Sequence, residues 1–308
     1  MKRALALVLL TVLLTGSVAV GATRVTIGTG PWGGVFFPVG SALATVLNRY
    51  VRDVSVTAEP VEGSAHALEL LHTGQLTLAI VAVGAVHSGV RGAANVGFVM
   101  GAMDAGQTLV TLADSGIHTY PDVRGLRVAV NTPASKALLV AVLKLHGVGE
   151  TDVQLTYMNF AAQISALREE RIDAAFLPVT PYNADVAALA SDLAIRVLGL
   201  DPINARALER TSPWIPVPVN AQTYEGQNAE VLVPGSRTAL LAHKQVDPAL
   251  IYRIVKAIVD HPRALRNLHP GGAEFTVART RFFIERKLVP AAFHPGAERY
   301  WRERHVLP

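Results

Sequence analysis

Residues 24–34, RVTIGTGPWGG, and residues 126–137, LRVAVNTPASKA, decide the fold between them. Each begins as a short β-branched and aliphatic run, breaks into a loop of Gly, Pro, Asn or Thr, and leads into a helical pattern. In the first, RVTI (24–27) is expected to be a buried strand and Gly28 to Gly34 a glycine-rich loop, with a helix from about Pro38 to Tyr50. VSVTA (54–58) follows as a strand, and EGS (62–64) precedes a helix over about Ala65 to His72. Gly74 stops that helix, and LTLAIVAV (76–83) is a third strand. In the second, LRVAV (126–130) is the strand and NTPAS (131–135) the loop, with Thr132 as N-cap and Pro133 in the first helical turn. That helix runs to about His146, where Gly147 suits its C-terminal cap. VQLTYM (153–158), a helix over Ala161 to Arg171 and the strand IDAAFLPV (172–179) complete the unit.

The same strand–loop–helix–strand–helix–strand order therefore occurs twice. Strands that alternate with helices predict a mainly parallel sheet flanked by helices, and the duplication predicts two lobes, each with its own sheet. TLVTLADSG (108–116) is the expected hinge strand and TALLAHK (238–244) the return crossing. Lobe I is then 23–112 with 238–308, and lobe II is 113–237. Pro213, Pro216 and Pro218 predict an irregular stretch before the return. The tail reads as helices over Pro248 to Leu268, Ala273 to Lys287 and Pro295 to Arg304.

The N-terminus sets the expected compartment. Lys2 and Arg3 precede an apolar run, Ala4 to Leu14, that is too short to span a membrane, and small residues lead to Ala22. That layout predicts a secretory signal peptide over 1–22 and a periplasmic mature protein. The chain carries 28 Lys and Arg against 24 Asp and Glu, a formal charge of +4, which falls to +2 without Lys2 and Arg3. So small a charge gives no support to a nucleic-acid partner. Cysteine is absent, which rules out disulfides, thiol nucleophiles and Cys-based zinc sites. No HExxH or G-x-S-x-G motif occurs. Neither a metal, a cofactor nor an enzymatic activity is expected.

In open α/β sheets, ligands bind beyond the carboxyl ends of the strands. Here those ends carry GTGPWGG (28–34), EPVEGS (59–64), NTPASK (131–136) and MNFAA (158–162), each just before a helix. Helix starts expose unpaired N–H groups and partial positive charge, so four of them facing one gap suit a small carboxylate. Gly28, Gly30 and Gly33 also satisfy a dinucleotide fingerprint, with Glu59 where a ribose-binding acid would sit. Pro31 and Trp32 inside the glycine turn, and a helix that starts well after it, count against that alternative. The candidate ligand residues are Gly30, Trp32, Gly33, Gly34, Phe36, Phe37, Gly63 and Ser64 from the first unit. The second contributes Asn131, Thr132, Ser135, Lys136, Phe160, Phe176 and Pro178. Trp32, Phe36 and Phe37 are read as an aromatic wall and Lys136 as a cation for the carboxylate. Each also has a purely structural explanation, as loop packing or a solvated helix residue.

Several segments in order resemble the TAXI family of solute-binding proteins, which serve tripartite ATP-independent periplasmic (TRAP) transporters. They are GTGPWGGVFFPVG (28–40), EGSAHALELL (62–71), GQLTLAIV (74–81), ADSGI (113–117), DVRGLRVAV (122–130), RIDAAFLPV (171–179), QTYEGQNAEV (222–231) and HPGAERYWRERHVLP (294–308). The resemblance implies a type II periplasmic-binding-protein-like fold with two hinge crossings. It also implies a TRAP membrane subunit as partner and a glutamate-like or dicarboxylate ligand. A monomer is expected. Phe36 and Phe37 stand where the family usually has tyrosines, Glu62 stands for a glycine, and NTPASKA (131–137) replaces a glycine-rich turn. Loss of two hydroxyls shifts the expected ligand towards a more apolar organic acid. A periplasmic sensor for a membrane receptor, or an exported doubly wound enzyme, are the alternatives.

Overall fold

The computed structural model describes residues 21–87 and 95–308. The expected signal peptide lies almost wholly outside them.

The first unit forms β1 (Thr23–Gly28), α1 (Phe36–Tyr50), β2 (Val54–Glu59), α2 (Ser64–His72), β3 (Leu78–Ala82) and a short α3 (Val83–His87). β1 pairs in parallel with β2 and with β3. A long strand, β4 (Val96–Leu112), then leaves for the second unit. That unit forms β5 (Arg127–Val130), α4 (Pro133–Leu145), β6 (Gln154–Tyr157), α5 (Phe160–Arg168), β7 (Ala174–Thr180) and α6 (Ala184–Asp192). β5 lies parallel between β6 and β7. After β8 (Ile195–Val197), α7 (Pro202–Thr211) and β9 (Ile215–Val219), a second long strand, β10 (Val231–His243), returns. The tail adds α8 (Pro248–Asp260), α9 (Pro262–Leu268), α10 (Val277–Glu285) and α11 (Pro295–Glu303).

β4 and β10 run antiparallel side by side and join both units into one hydrogen-bonded path, β2-β1-β3-β10-β4-β7-β5-β6. The expectation of two separate sheets is corrected to this extent: the ladder is continuous because both crossing strands are long enough to pair in each lobe. The cores remain separate. One pair of apolar clusters draws on residues up to Met103 and from Ala239 onward, including Val25, Leu43, Leu68, Ile254 and Trp301. The other pair lies between Leu109 and Val233, including Leu139, Leu167, Phe176 and Tyr224. Each cluster buries the apolar faces of its own strands and helices, so each lobe carries its own hydrophobic stabilisation.

The cores also relocate the hinge. Leu109 and Val110 are already buried in lobe II, and Thr111 Oγ1 donates to the Asp173 carbonyl at 2.8 Å. The outward crossing is therefore Asp104 to Gln107, rather than Thr111 to Asp114. It faces Arg237, Ser236 and Gly235 on the return strand. Three local expectations also change. The prolines near 216 do not prevent a strand: among the described residues β9 pairs with β10 alone, and an edge position tolerates missing N–H donors. The helix expected over 248–268 breaks at Pro262, which cannot donate to the preceding turn. The one expected over 273–287 starts only at Val277, where Thr276 caps it, because a 3-10 turn occupies Pro270–Glu274.

Candidate functional site

A cleft of about 410 Å³ opens between the lobes at the carboxyl ends of the strands. Lobe I contributes Gly30, Pro31, Gly34, Val35 and Phe36 up to the start of α1, Glu62 to Ala65 around the start of α2, Ala82 at the end of β3, and Gly84 and Ala85 in α3. Lobe II contributes Thr132, Ala134, Ser135, Ala137 and Leu138 from α4, with Phe160, Pro178, Pro213 and Trp214. The floor is the crossing itself: Ala105, Gly106 and Gln107 on β4, Gly235 and Ser236 on β10.

The four helix starts are not equivalent. In lobe II, Thr132 Oγ1 accepts from the Ser135 amide at 3.1 Å, and Asn159 Oδ1 accepts from the Ala162 amide at 2.8 Å. In lobe I, neither α1 nor α2 has a side-chain cap. In lobe II a side chain thus engages one first-turn amide of each helix, while in lobe I, among the described residues, no side chain engages those of α1, Phe36 and Phe37 ahead of Pro38, or those of α2. Such a terminus favours an anion by about 0.3–1 kcal/mol where exposed and up to ~2 kcal/mol where partly buried. Ser64 Oγ accepts from the Ala82 amide at 3.0 Å, which fixes the hydroxyl and leaves its proton to donate into the cleft.

Across from these amides the wall is apolar: Phe160, Leu138, Ala134, Ala137, Pro178 and Trp214. Among the described residues the lining carries one ionisable side chain, Glu62 at the exposed rim, and no lysine or arginine. From the described residues, an anion in this cleft meets backbone dipoles and hydroxyls rather than a basic side chain. On the floor, the Gln107 amide is engaged by no other group among the described residues.

Gly30, Gly34, Phe36, Gly63, Ser64, Thr132, Ser135, Phe160 and Pro178 come together around this space. Six expected members do not line it. Lys136 turns away from the cleft face of α4, and its Nζ pairs with Glu150 Oε1 at 2.6 Å, which holds the ammonium pKa above its ordinary value. Phe176 sits four residues before the end of β7, two before Pro178, and is fully buried in the lobe II core. Trp32 is 65 % exposed and leans on Phe37 with ring centroids 4.1 Å apart, so that pair forms an outer surface beside the cleft. Asn131 stays behind the lining, with its Nδ2 buried and unpartnered. Gly33 lies in the seam between the lobes. For the dinucleotide alternative, Glu59 is already paired with Arg24 at 3.4 Å.

The crossing residues and Trp214 were missed. Two strands that connect lobes must pass under the gap between them, so 105–107 and 235–236 were discoverable from the topology. Trp214 sits in a proline-flanked stretch with no such signal.

The two-lobed arrangement is shared with solved structures at low identity. The periplasmic aliphatic sulphonate binding protein SsuA from Escherichia coli is 16% identical, with a TM-score of 0.50, over 90% of this chain and 92% of that one. A protein assigned to L-cystine ABC transport from Listeria monocytogenes is 14% identical, with a TM-score of 0.51, over 80% and 94%. A structure from Bordetella bronchiseptica RB50 is 15% identical, with a TM-score of 0.52, over 92% and 98%. At these identities the likeness concerns the fold. The sequence itself matches the model of the NMT1-like family over residues 27–304, which takes in both lobes and both crossings. This chain belongs to the NMT1-like family.

Proposed function

We propose that this protein is the periplasmic solute-binding component of a membrane transporter, and that its cleft holds a small organic anion with an apolar body. The observation that carries the proposal is the asymmetry of the cleft: uncapped helix starts on lobe I opposite an apolar wall on lobe II. A carboxylate or sulphonate head would accept from the first-turn amides of α1 and α2 and from Ser64, and its carbon body would lie against Phe160 and Leu138. Binding both lobes at once favours the closed form, which a membrane partner then recognises. The ordered resemblance of eight segments to TAXI proteins supports a TRAP membrane subunit as that partner.

A thermal-shift screen tests this. The panel holds aliphatic and aromatic carboxylates, aliphatic sulphonates, dicarboxylates, amino acids and neutral sugars. A ligand at a hundred times its Kd stabilises the folded chain by about 2.7 kcal/mol. Stabilisation by monoanions with apolar bodies is expected. A panel in which only polar amino acids or neutral sugars act would refute the ligand class. Uptake in cells that carry the cognate TRAP membrane subunit, with and without this chain, tests the partner.

A further inference from the structure

Asn183 does not line the cleft, yet it ties the lobes together at the cleft rim. It is 5% exposed and opens α6. Its Oδ1 accepts from the amides of Asp185 and Val186 at 2.9 and 3.3 Å. Its Nδ2 donates to the Pro178 carbonyl at 2.9 Å within lobe II and to the Gly33 carbonyl of lobe I at 3.0 Å. Its backbone N–H donates to Tyr224 Oη at 3.1 Å, and that hydroxyl donates to the Val179 carbonyl. Lobe II therefore holds the side-chain amide in one orientation and leaves a single N–H aimed across the seam.

The partner loop is shaped to receive it. Gly33 has φ +76°, and a Cβ there would stand 3.1 Å from Phe160 Cβ. Only glycine takes this conformation without strain, and only its bare backbone brings the carbonyl so close to lobe II. The His269 ring makes a second directional contact across the seam, to the Tyr182 backbone, whereas Gly84 against Pro213 and Gly271 against Pro181 meet only by van der Waals contact.

We propose that Asn183 is a closure latch, whose bond to the Gly33 carbonyl stabilises the joined form and so lengthens ligand residence without touching the ligand. The proposal rests on the solute-binding function above. Asn183 is a positioning residue: it acts through the lobe equilibrium, and parting the lobes hands its N–H to water. One exchangeable hydrogen bond of this kind shifts a two-state equilibrium by about two- to tenfold.

The chain has no cysteine, so Glu69→Cys and Ser191→Cys, both exposed, place a nitroxide pair on the two lobes for pulsed distance measurement without ligand. In this labelled background, Asn183→Ser keeps a competent helix cap but lacks the donor. Gly33→Ala attacks the same contact from lobe I. Thr111→Val is the structural control, because it removes the Oγ1 bond to the Asp173 carbonyl within lobe II and touches neither Asn183 nor Gly33. Asn183→Ser and Gly33→Ala are expected to raise the open-to-closed ratio two- to tenfold, with Thr111→Val matching the parent distribution at a lowered melting temperature. With the strongest compound from the screen, Asn183→Ser should raise the dissociation rate by the same factor and leave association unchanged. A folded Asn183→Ser chain with the parent's distances, or equal opening in Thr111→Val, would overturn the latch. The distance measurement needs no ligand, so a screen without hits counts against the solute-binding function and leaves the latch tested on its own.

Discussion

Where the two crossing strands pass, Gly106 and Gly235 face each other in register. A Cβ on Gly235 would be driven into the Ala105 carbonyl oxygen, and would stand 2.7 Å from Val217 Cγ2 and 2.9 Å from Gly106 Cα. Two of those three atoms are backbone, so no rotamer change relieves the clash and β4 and β10 must move apart. Overpacking of this kind costs about 1–3 kcal/mol. A rigid backbone contact belongs at the upper end. At about 2–4 °C per kcal/mol for a chain of this size class, Gly235→Ala should lower Tm by about 4–10 °C. Gly30 lines the same cleft, but its added Cβ would meet Phe36 at 3.4 Å and beyond, which is ordinary contact. Gly30→Ala should therefore stay within about 2 °C of the parent. Thermal unfolding followed by circular dichroism at pH 7 separates the two. Equal melting temperatures for both variants, or a larger loss at Gly30, would refute the crossing geometry.

Lys136→Met should leave ligand affinity unchanged by calorimetry, because Lys136 pairs with Glu150 outside the cleft; a tenfold loss would return the lysine to the site. Burial holds the Glu274 carboxyl above its ordinary 4.5, so the folded state binds protons more tightly than the unfolded one and stability falls as pH rises through the folded value. Glu274→Gln keeps an acceptor for the Asp104 amide, now 3.2 Å from Oε2. It should raise Tm at pH 8, with the gain vanishing as pH falls below about 4.5, the ordinary glutamate value. His269 and His294 are buried, which holds both imidazoles below the ordinary 6.5, and their Nδ1 atoms accept from the Gly271 and Gly296 amides. The unfolded state takes up protons first, so stability present above pH 6.5 should decline as pH drops towards the folded values. His294→Asn should flatten part of that decline in melts between pH 7 and 5.

The duplicated α/β unit was legible because each strand ends where Gly, Pro or Asn stops the aliphatic run, at Gly28, Glu59 and Val130 alike. The loops that reach the cleft followed from strand direction alone. Which side chains in those loops face inward did not. Lys136 is one position along α4 from Ser135, and helical rotation decides that Ser135 lines the cleft and Lys136 does not. Phe176 and Pro178 differ only in depth along β7, and depth is set by where Leu109, Tyr120 and Val128 pack. The hinge was misplaced for a similar reason: β4 is one unbroken 17-residue strand, and although DAGQ (104–107) interrupts its apolar run, its division between lobes depends on partners far away in sequence. Asn183 gave no signal at all, since an Asn before a helix is ordinarily just a cap.

The most direct test is a crystal structure with the strongest monoanion from the screen bound. The anionic head should lie within hydrogen-bonding distance of the first-turn amides of α1 or α2 and Ser64 Oγ, with its carbon body on Phe160 and Leu138 and no lysine or arginine in contact. A ligand bound elsewhere, or an anionic head paired with a basic side chain or seated on the α4 and α5 starts, would contradict the account.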